Sequence, residues 1–382
     1  MPLSDRKMSR PSGNRDKREE KKKEMKTKKK MLTPFLSAIL LIGLSYSRAS
    51  AAQTILTTCG TFGAGSYIVA NNITSAGISC LVFSAGPVTL DLNGFTLTST
   101  SGVQNGVLAG AGIDSVTVRN GTIRGFTRGI ALGGKGAVVD GVKVLASVAG
   151  SLSGILVGNN GTVENCVVSG HNGGGIQAGL GATVVRNTLT GNTGNTIIVG
   201  DSSIVSGNVL SLNTGGSTDA IRIANNCKVV DNVISSNTFG IRATGDHNLI
   251  SGNTISGCVE GIEVGNLTTI SGNNSSDNTD NGIEAGTDCL ISGNITSENT
   301  GVGITSDVRT LFLNNVSNSN GNFGIHVNLG GSAIGNVADN NGSSGLEVGC
   351  PSKVDNNTAL FNGAMNLDTS GAGCLLSNNL AP

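Results

Sequence analysis

Beyond residue 53 the hydrophobic pattern is made of very short runs. Ile262-Glu263-Val264-Gly265 and Ile283-Glu284-Ala285-Gly286 alternate apolar and polar positions, the period-two sign of a strand with one buried face. Glycine and asparagine punctuate the ends of these runs, because both tolerate the left-handed conformations that sharp turns require. No segment in this region has the spacing of a long amphipathic helix. The runs also repeat. Gly-Ile recurs at Gly240-Ile241, Gly261-Ile262, Gly282-Ile283, Gly303-Ile304 and Gly324-Ile325, each 21 residues after the last, and Gly345-Leu346 continues the series. Two asparagine columns share the step: Asn273, Asn294, Asn315, Asn336, Asn357 and Asn378, and Asn278, Asn299, Asn320, Asn341 and Asn362.

A unit of about three short strands cannot bury its apolar face alone, whereas stacked units can, with Ile, Val and Leu forming ladders inside. An asparagine at an inside corner can hydrogen-bond its counterpart one coil away, which satisfies buried polar groups along the whole stack. The pattern therefore predicts a parallel β-solenoid whose asparagine columns are structural. Upstream, residues 90–97 and 116–123 each form two short β runs, the first about the Asn93-Gly94 turn. The sequence LDLNGFTL followed by SVTVRNGTIRGFTRGIAL and coils of about 21 residues resembles the right-handed parallel β-helix repeat proteins of the pectate-lyase-like superfamily. The resemblance spans nearly all of residues 60–380. It implies an all-β, single-stranded right-handed parallel β-helix, and is silent on activity because many unrelated functions share that fold. The expected organisation is a basic leader over 1–52, an N-terminal cap with the first coils over 53–113, and β-helix repeats over 114–382.

Composition changes two points. Glycine is 58 of 382 residues, a content that would permit disorder were the repeat not so regular. The formal net charge is zero, but beyond residue 52 there are 11 basic against 20 acidic residues, a charge of −9. No basic stripe remains to neutralise phosphates, so nucleic acid is excluded as an expected partner. The basic residues gather before an apolar run from Met31 to Leu44, followed by Ala49, Ser50, Ala51 and Ala52. A positive segment, a short apolar segment and small residues describe a secretory signal with cleavage near Ala51. The apolar run is too short to span a bilayer of ~30 Å comfortably, so no membrane span is expected in the mature chain and a secreted or periplasmic location is. All eight cysteines follow the leader, consistent with an oxidising compartment. Cys59 with Cys80 and Cys350 with Cys374 are disulfide candidates. Cys227, Cys258 and Cys289 are spaced by 31 residues, which separates them in the stack, and read as small buried hydrophobes.

In enzymes of the superfamily, the resemblance implies, the active site lies on a solvent-facing strand column. The residue after each Gly-Ile marker gives that column here: Gln177, Ile198, Arg222, Arg242, Glu263, Glu284, Thr305, His326 and Glu347. Arg222, Arg242, Glu263 and Glu284 are the candidate catalytic residues, with Asp219, Asp246, His247 and His326 as candidate binding residues. Two stacked carboxylates suit acid–base work on a glycosidic bond, and an arginine suits a uronate carboxylate. The alternative is a solvated ladder of alternating charge. Motif absences favour that alternative. Ser217-Thr218-Asp219-Ala220 stands where a polygalacturonase has Asn-Thr-Asp-Gly, and Asp-Asp, Gly-His-Gly and Asp-Pro-His-Asp segments are lacking. No calcium cluster, zinc pattern or cofactor motif is present, and with no Trp a typical aromatic sugar platform is missing. The expectation is an exported β-helix that contacts extracellular polysaccharide or cell-surface glycan without established catalysis. The alternatives are a polysaccharide lyase or glycoside hydrolase working on the outward strand face, and a structural or adhesive surface protein.

Overall fold

The computed structural model describes residues 53–102, 104–145, 152–216 and 218–382. The leader, its cleavage point near Ala51, and Ser217 lie outside the described residues. Every regular element described is a strand. Three short strands make a coil, as in Ile283–Ala285, Leu290–Ser292 and Ile295–Ser297. Each strand pairs in parallel with its counterpart in the next coil: Ile283 with Ile304, Leu290 with Leu311, Ile295 with Val316. The described strands form one 15-stranded parallel sheet, which carries the Gly-Ile markers, and a 26-stranded sheet covering the other two faces. The N-terminal strands join the same sheets, Gly60–Phe62 pairing with Leu81–Phe83 and that strand with Asn105–Ala109. Phe62, Tyr67 and Phe83 pack their rings together there, with centroids 5.4 to 6.1 Å apart. Asn93-Gly94 turns a corner and does not close a hairpin. Both residues have positive φ, and the flanking strands Val88–Asp91 and Thr96–Ser99 pair with other coils. The 116–123 segment lies in one continuous strand, Val116–Arg124.

The corners explain the asparagine columns. Asn273 donates from Nδ2 and from its backbone N–H to Oδ1 of Asn294, both at 2.9 Å, and Asn294 repeats this with Asn315. The ladder starts at Asn187, to which Cys166 donates its N–H, and runs through Asn357. A second ladder runs in the next corner from Asn278 through Asn299, Asn320 and Asn341 to Asn362. A residue in the left-handed region precedes each rung: Gly272 before Asn273, Gly293 before Asn294, Asn314 before Asn315 and Asn356 before Asn357. This corrects the end of the first column. Asn378 takes the left-handed turn position at φ 53, and the bonds from Asn357 go to Asn379. The last coil is one residue longer there, so strict 21-residue counting lands on the wrong asparagine.

Cys59–Cys80 and Cys350–Cys374 form disulfides with Cα atoms 4.4 and 4.9 Å apart. The free cysteines described are Cys166, Cys227, Cys258 and Cys289, all buried. They are less anonymous than small hydrophobes, because each takes a corner rung. The Cys258 N–H donates to Asn278 and the Cys227 N–H to Asn248.

His171 heads the second corner column, its N–H donating to Asn192 Oδ1 at 3.1 Å. Its ring is 1% exposed, and neither ring nitrogen makes a hydrogen bond of good geometry among the described residues. Burial pushes the imidazole down to about 4, against an opposing pull from the Val144 backbone. The folded form thus stays neutral where the unfolded chain binds a proton. Stability should fall as pH drops from about 6.5 towards 4, by on the order of 3 kcal/mol in all. His171→Asn, which places a ladder residue at this rung, should flatten that part of the stability–pH curve. Denaturant titrations across the window read the difference, and identical acid limbs for both proteins would refute it.

Candidate functional site

The site face is set by a break in strand alternation. An ideal Cβ on Gly303 would point inward, against Ser317 and at 2.6 Å from Asn320 Nδ2. A Cβ on Gly282 would lie 2.8 Å from Asn299 Nδ2. The marker isoleucines also point inward, with Ile262, Ile283 and Ile304 fully buried. Two successive inward positions bring the residue before each glycine onto the same outer side as the residue after each isoleucine. The outer face therefore carries two columns. One is the expected set, with Arg222 opposite Arg242, Arg242 opposite Glu263, and Glu263 opposite Glu284. The other contains Asp219 opposite Phe239 and Phe239 opposite Glu260, with Asn281 following.

Arg242 joins the two columns. Its Nη1 lies 3.1 Å from Asp219 Oδ1, its Nε 2.5 Å from Glu263 Oε2, and its guanidinium carbon 4.0 Å above the Phe239 ring centre. The contact with the ring and a carboxylate on either side hold the guanidinium in place. Asp219 is 1% exposed. Burial lifts its carboxyl above the usual range, while Arg242 and Arg222 pull it down. Arg222 is looser, with Nε 3.9 Å from Asp219 Oδ2 and a side chain 46% exposed. Glu284 is exposed and accepts a hydrogen bond from Asn281 Nδ2 at 3.0 Å. Glu260, next to it on the face, was missed by reading only the residue after the isoleucine. Its Oε1 is buried with no hydrogen-bond partner among the described residues. Burial first, then the negative charges of Glu284 and Glu263, push the Glu260 carboxyl up to about 8. A polar or aromatic residue directly before a marker glycine was the available signal.

The other candidates lie elsewhere or apart. Asp246 spends its carboxylate in a turn, accepting from the Asn266 N–H at 2.8 Å. His247 is the left-handed residue of that turn, at φ 60, before the corner residue Asn248. Neither is engaged with the strand face. His326 is on the face but further along the stack, its Nδ1 3.3 Å from Thr305 Oγ1 and its Nε2 4.0 Å from Glu347 Oε2.

A family model described as "Right handed beta helix region" matches residues 105–246. The chain is a right-handed parallel β-helix repeat protein. A second family model, "Periplasmic copper-binding protein (NosD)", matches residues 201–341 of this β-helix protein. The residues described do not fit a copper site. The free cysteines occupy separate coils, burial pushes the Cys166 thiol up to about 12 and the Cys258 thiol to about 11, and no three His, Cys, Asp or Glu side chains among the described residues are arranged to hold a metal ion. No curated protein matches the β-helix protein in sequence. Solved structures similar to it include the A-module of Azotobacter vinelandii mannuronan C-5 epimerase AlgE4, at 13% identity and TM-score 0.43 over 81% of this chain and 89% of that one. The Dettilon tailspike protein is similar at 15% identity and TM-score 0.46, over 80% and 62%. The periplasmic alginate epimerase AlgG is similar at 13% identity and TM-score 0.38, over 82% and 76%. These are likenesses of fold. No helix among the described residues is long and apolar enough to cross a membrane.

Proposed function

We propose that this β-helix protein is exported and contacts extracellular polysaccharide through the strand face between Asp219 and Glu284. The observation that carries the reading is the fixed Arg242 array, which places an oriented guanidinium, three carboxyl groups and a half-buried aromatic ring on one regular outer face. Such a face offers donors and acceptors in fixed positions beside apolar surface, the combination that orients a polyhydroxylated ligand. Export is supported by the leader-like segment and by the two disulfides. Binding of the mature chain to arrays of neutral, uronate and amino-sugar glycans tests the reading. Capture on that array, lost in Arg242→Ala, is expected; attachment to cells with no free glycan bound would replace it with an adhesive role.

Glu260 favours a second reading, glycoside hydrolysis. A carboxyl that keeps its proton at neutral pH, beside the exposed Glu284, resembles a pair whose roles are separated by environment. In that reaction Glu260 gives its proton to the glycosidic oxygen as the carbon–oxygen bond breaks. Glu284, within hydrogen-bonding reach of Glu260, bonds to the anomeric carbon as the leaving group departs, and water deprotonated by Glu260 then displaces it. Any release of reducing ends should then hold steady up to about pH 8 and decline above it as Glu260 loses its proton. Glu260→Gln should lower the rate by about a hundredfold or more. Reducing-end assays across pH on the same polysaccharides decide it, and silence with every substrate removes hydrolysis while leaving binding in place.

A further inference from the structure

The arrangement of Phe239 beside Arg242 occurs a second time. Phe323 and His326 hold the same two positions around Gly324-Ile325, before the glycine and after the isoleucine, with ring centroids 5.8 Å apart. Ile241, Ile262, Ile283, Ile304 and Ile325 pair in unbroken succession. The second aromatic–base pair is therefore four rungs from the first, about 19 Å along the stack at the usual inter-strand spacing. Thr305 Oγ1 and Glu347 Oε2 flank the imidazole on the neighbouring coils at 3.3 and 4.0 Å. Phe323, His326 and Glu347 are all half-buried, presenting part of their surface to solvent. Between the two clusters the outer columns carry Glu260, Asn281 and Val302 on one side and Glu263, Glu284 and Thr305 on the other.

We infer that Phe323, His326 and Glu347 form a second saccharide subsite in line with the Arg242 cluster, so that one extended glycan chain lies along the solenoid axis and is gripped at both ends. This rests on the polysaccharide reading above. The straight register supplies the alignment: both clusters occupy the same two columns of one sheet, and the ring edge, imidazole and carboxylate provide the apolar surface and paired donors and acceptors that a sugar residue takes. Two weak subsites joined by one ligand act through effective concentration, so affinity should climb once the chain is long enough to bridge them.

The test uses the mature protein and length-fractionated cello-oligosaccharides, oligogalacturonates and chitosan oligosaccharides, dimers through octamers, with affinities from calorimetry. For the series that binds, affinity should rise steeply between short and long members. Phe323→Ala and His326→Ala should each weaken the longest member by about tenfold and leave the dimer unchanged, with unaltered thermal melts. The milder Phe323→Leu guards against loss of fold. Length-dependent binding that survives all three variants would overturn this inference and leave the first site standing, as would a loss equal for short and long chains. No binding by any series at any length would remove the polysaccharide reading and this inference with it.

Discussion

Replacing Asn294 with alanine should cost about 3–5 kcal/mol of stability, although no strand is touched. Asn294 Oδ1 accepts from both the N–H and Nδ2 of Asn273, and its own Nδ2 donates to the Ile270 carbonyl at 3.0 Å and to Asn315 Oδ1 at 3.0 Å. The residue is fully buried. Alanine keeps the fold of the turn but strands the Asn273 N–H in the interior, takes a donor from the Ile270 carbonyl, and removes the amide bonds to the rung on each side. Each orphan costs roughly 1–3 kcal/mol, because no water replaces the lost partner. Asn378→Gly is the matched control. That asparagine is exposed and in the left-handed region, where glycine is at ease, so the change should stay within about 0.5 kcal/mol. Chemical denaturation of both variants reads the contrast. Equal effects would mean that the ladder does not carry the stability assigned to it.

Gly303→Val should be at least as severe, above about 4 kcal/mol, and should lower the yield of folded protein. The glycine is required by space and not by dihedral angle. Its Cβ would strike the Ser317 hydroxyl, Asn320 Nδ2 and the Gly324 carbonyl, and a β-branched chain would add two methyl groups in the same place. Ser317 already donates to the Gly324 carbonyl at 2.6 Å and receives Asn320 Nδ2 at 3.1 Å, so there is no slack to move into. Upstream, Thr196 and Ala220 hold the same position, buried, in their coils. The prohibition therefore holds in the coils where a marker glycine stands, Gly261, Gly282 and Gly324 among them, and not at this repeat position in every coil. A melting midpoint within a degree or two of the parent would refute the packing account.

The fold was legible because its two cheapest signals, strand alternation and a fixed step, point the same way. Gly-Ile gave the register of the site sheet, and the structure pairs Arg242 with Glu263 and Glu263 with Glu284 as that register requires. What escaped was local. Strict alternation through the glycine would turn Glu260 inward, whereas Gly261 and Ile262 both face inward and bring Glu260 onto the outer face with Glu263. Asp246 and His247 lie near Arg242 in sequence, but the strand ends at Ala243 and the chain has already turned the corner. Asn378 illustrates a third kind of miss. A turn asparagine and a ladder asparagine are chemically identical, and only the extra residue in the last coil tells them apart.

The step between coils also has a meaning for how such a surface changes over time. Adding or deleting a whole coil between Glu284 and Phe323 would preserve every corner bond, since each ladder asks only for another asparagine in the same place. The distance between the two aromatic–base pairs would then lengthen or shorten by one fixed increment of about 4.8 Å. The protein is in that sense a ruler with exchangeable divisions: what it measures can be reset by copying a repeat, without designing a new site.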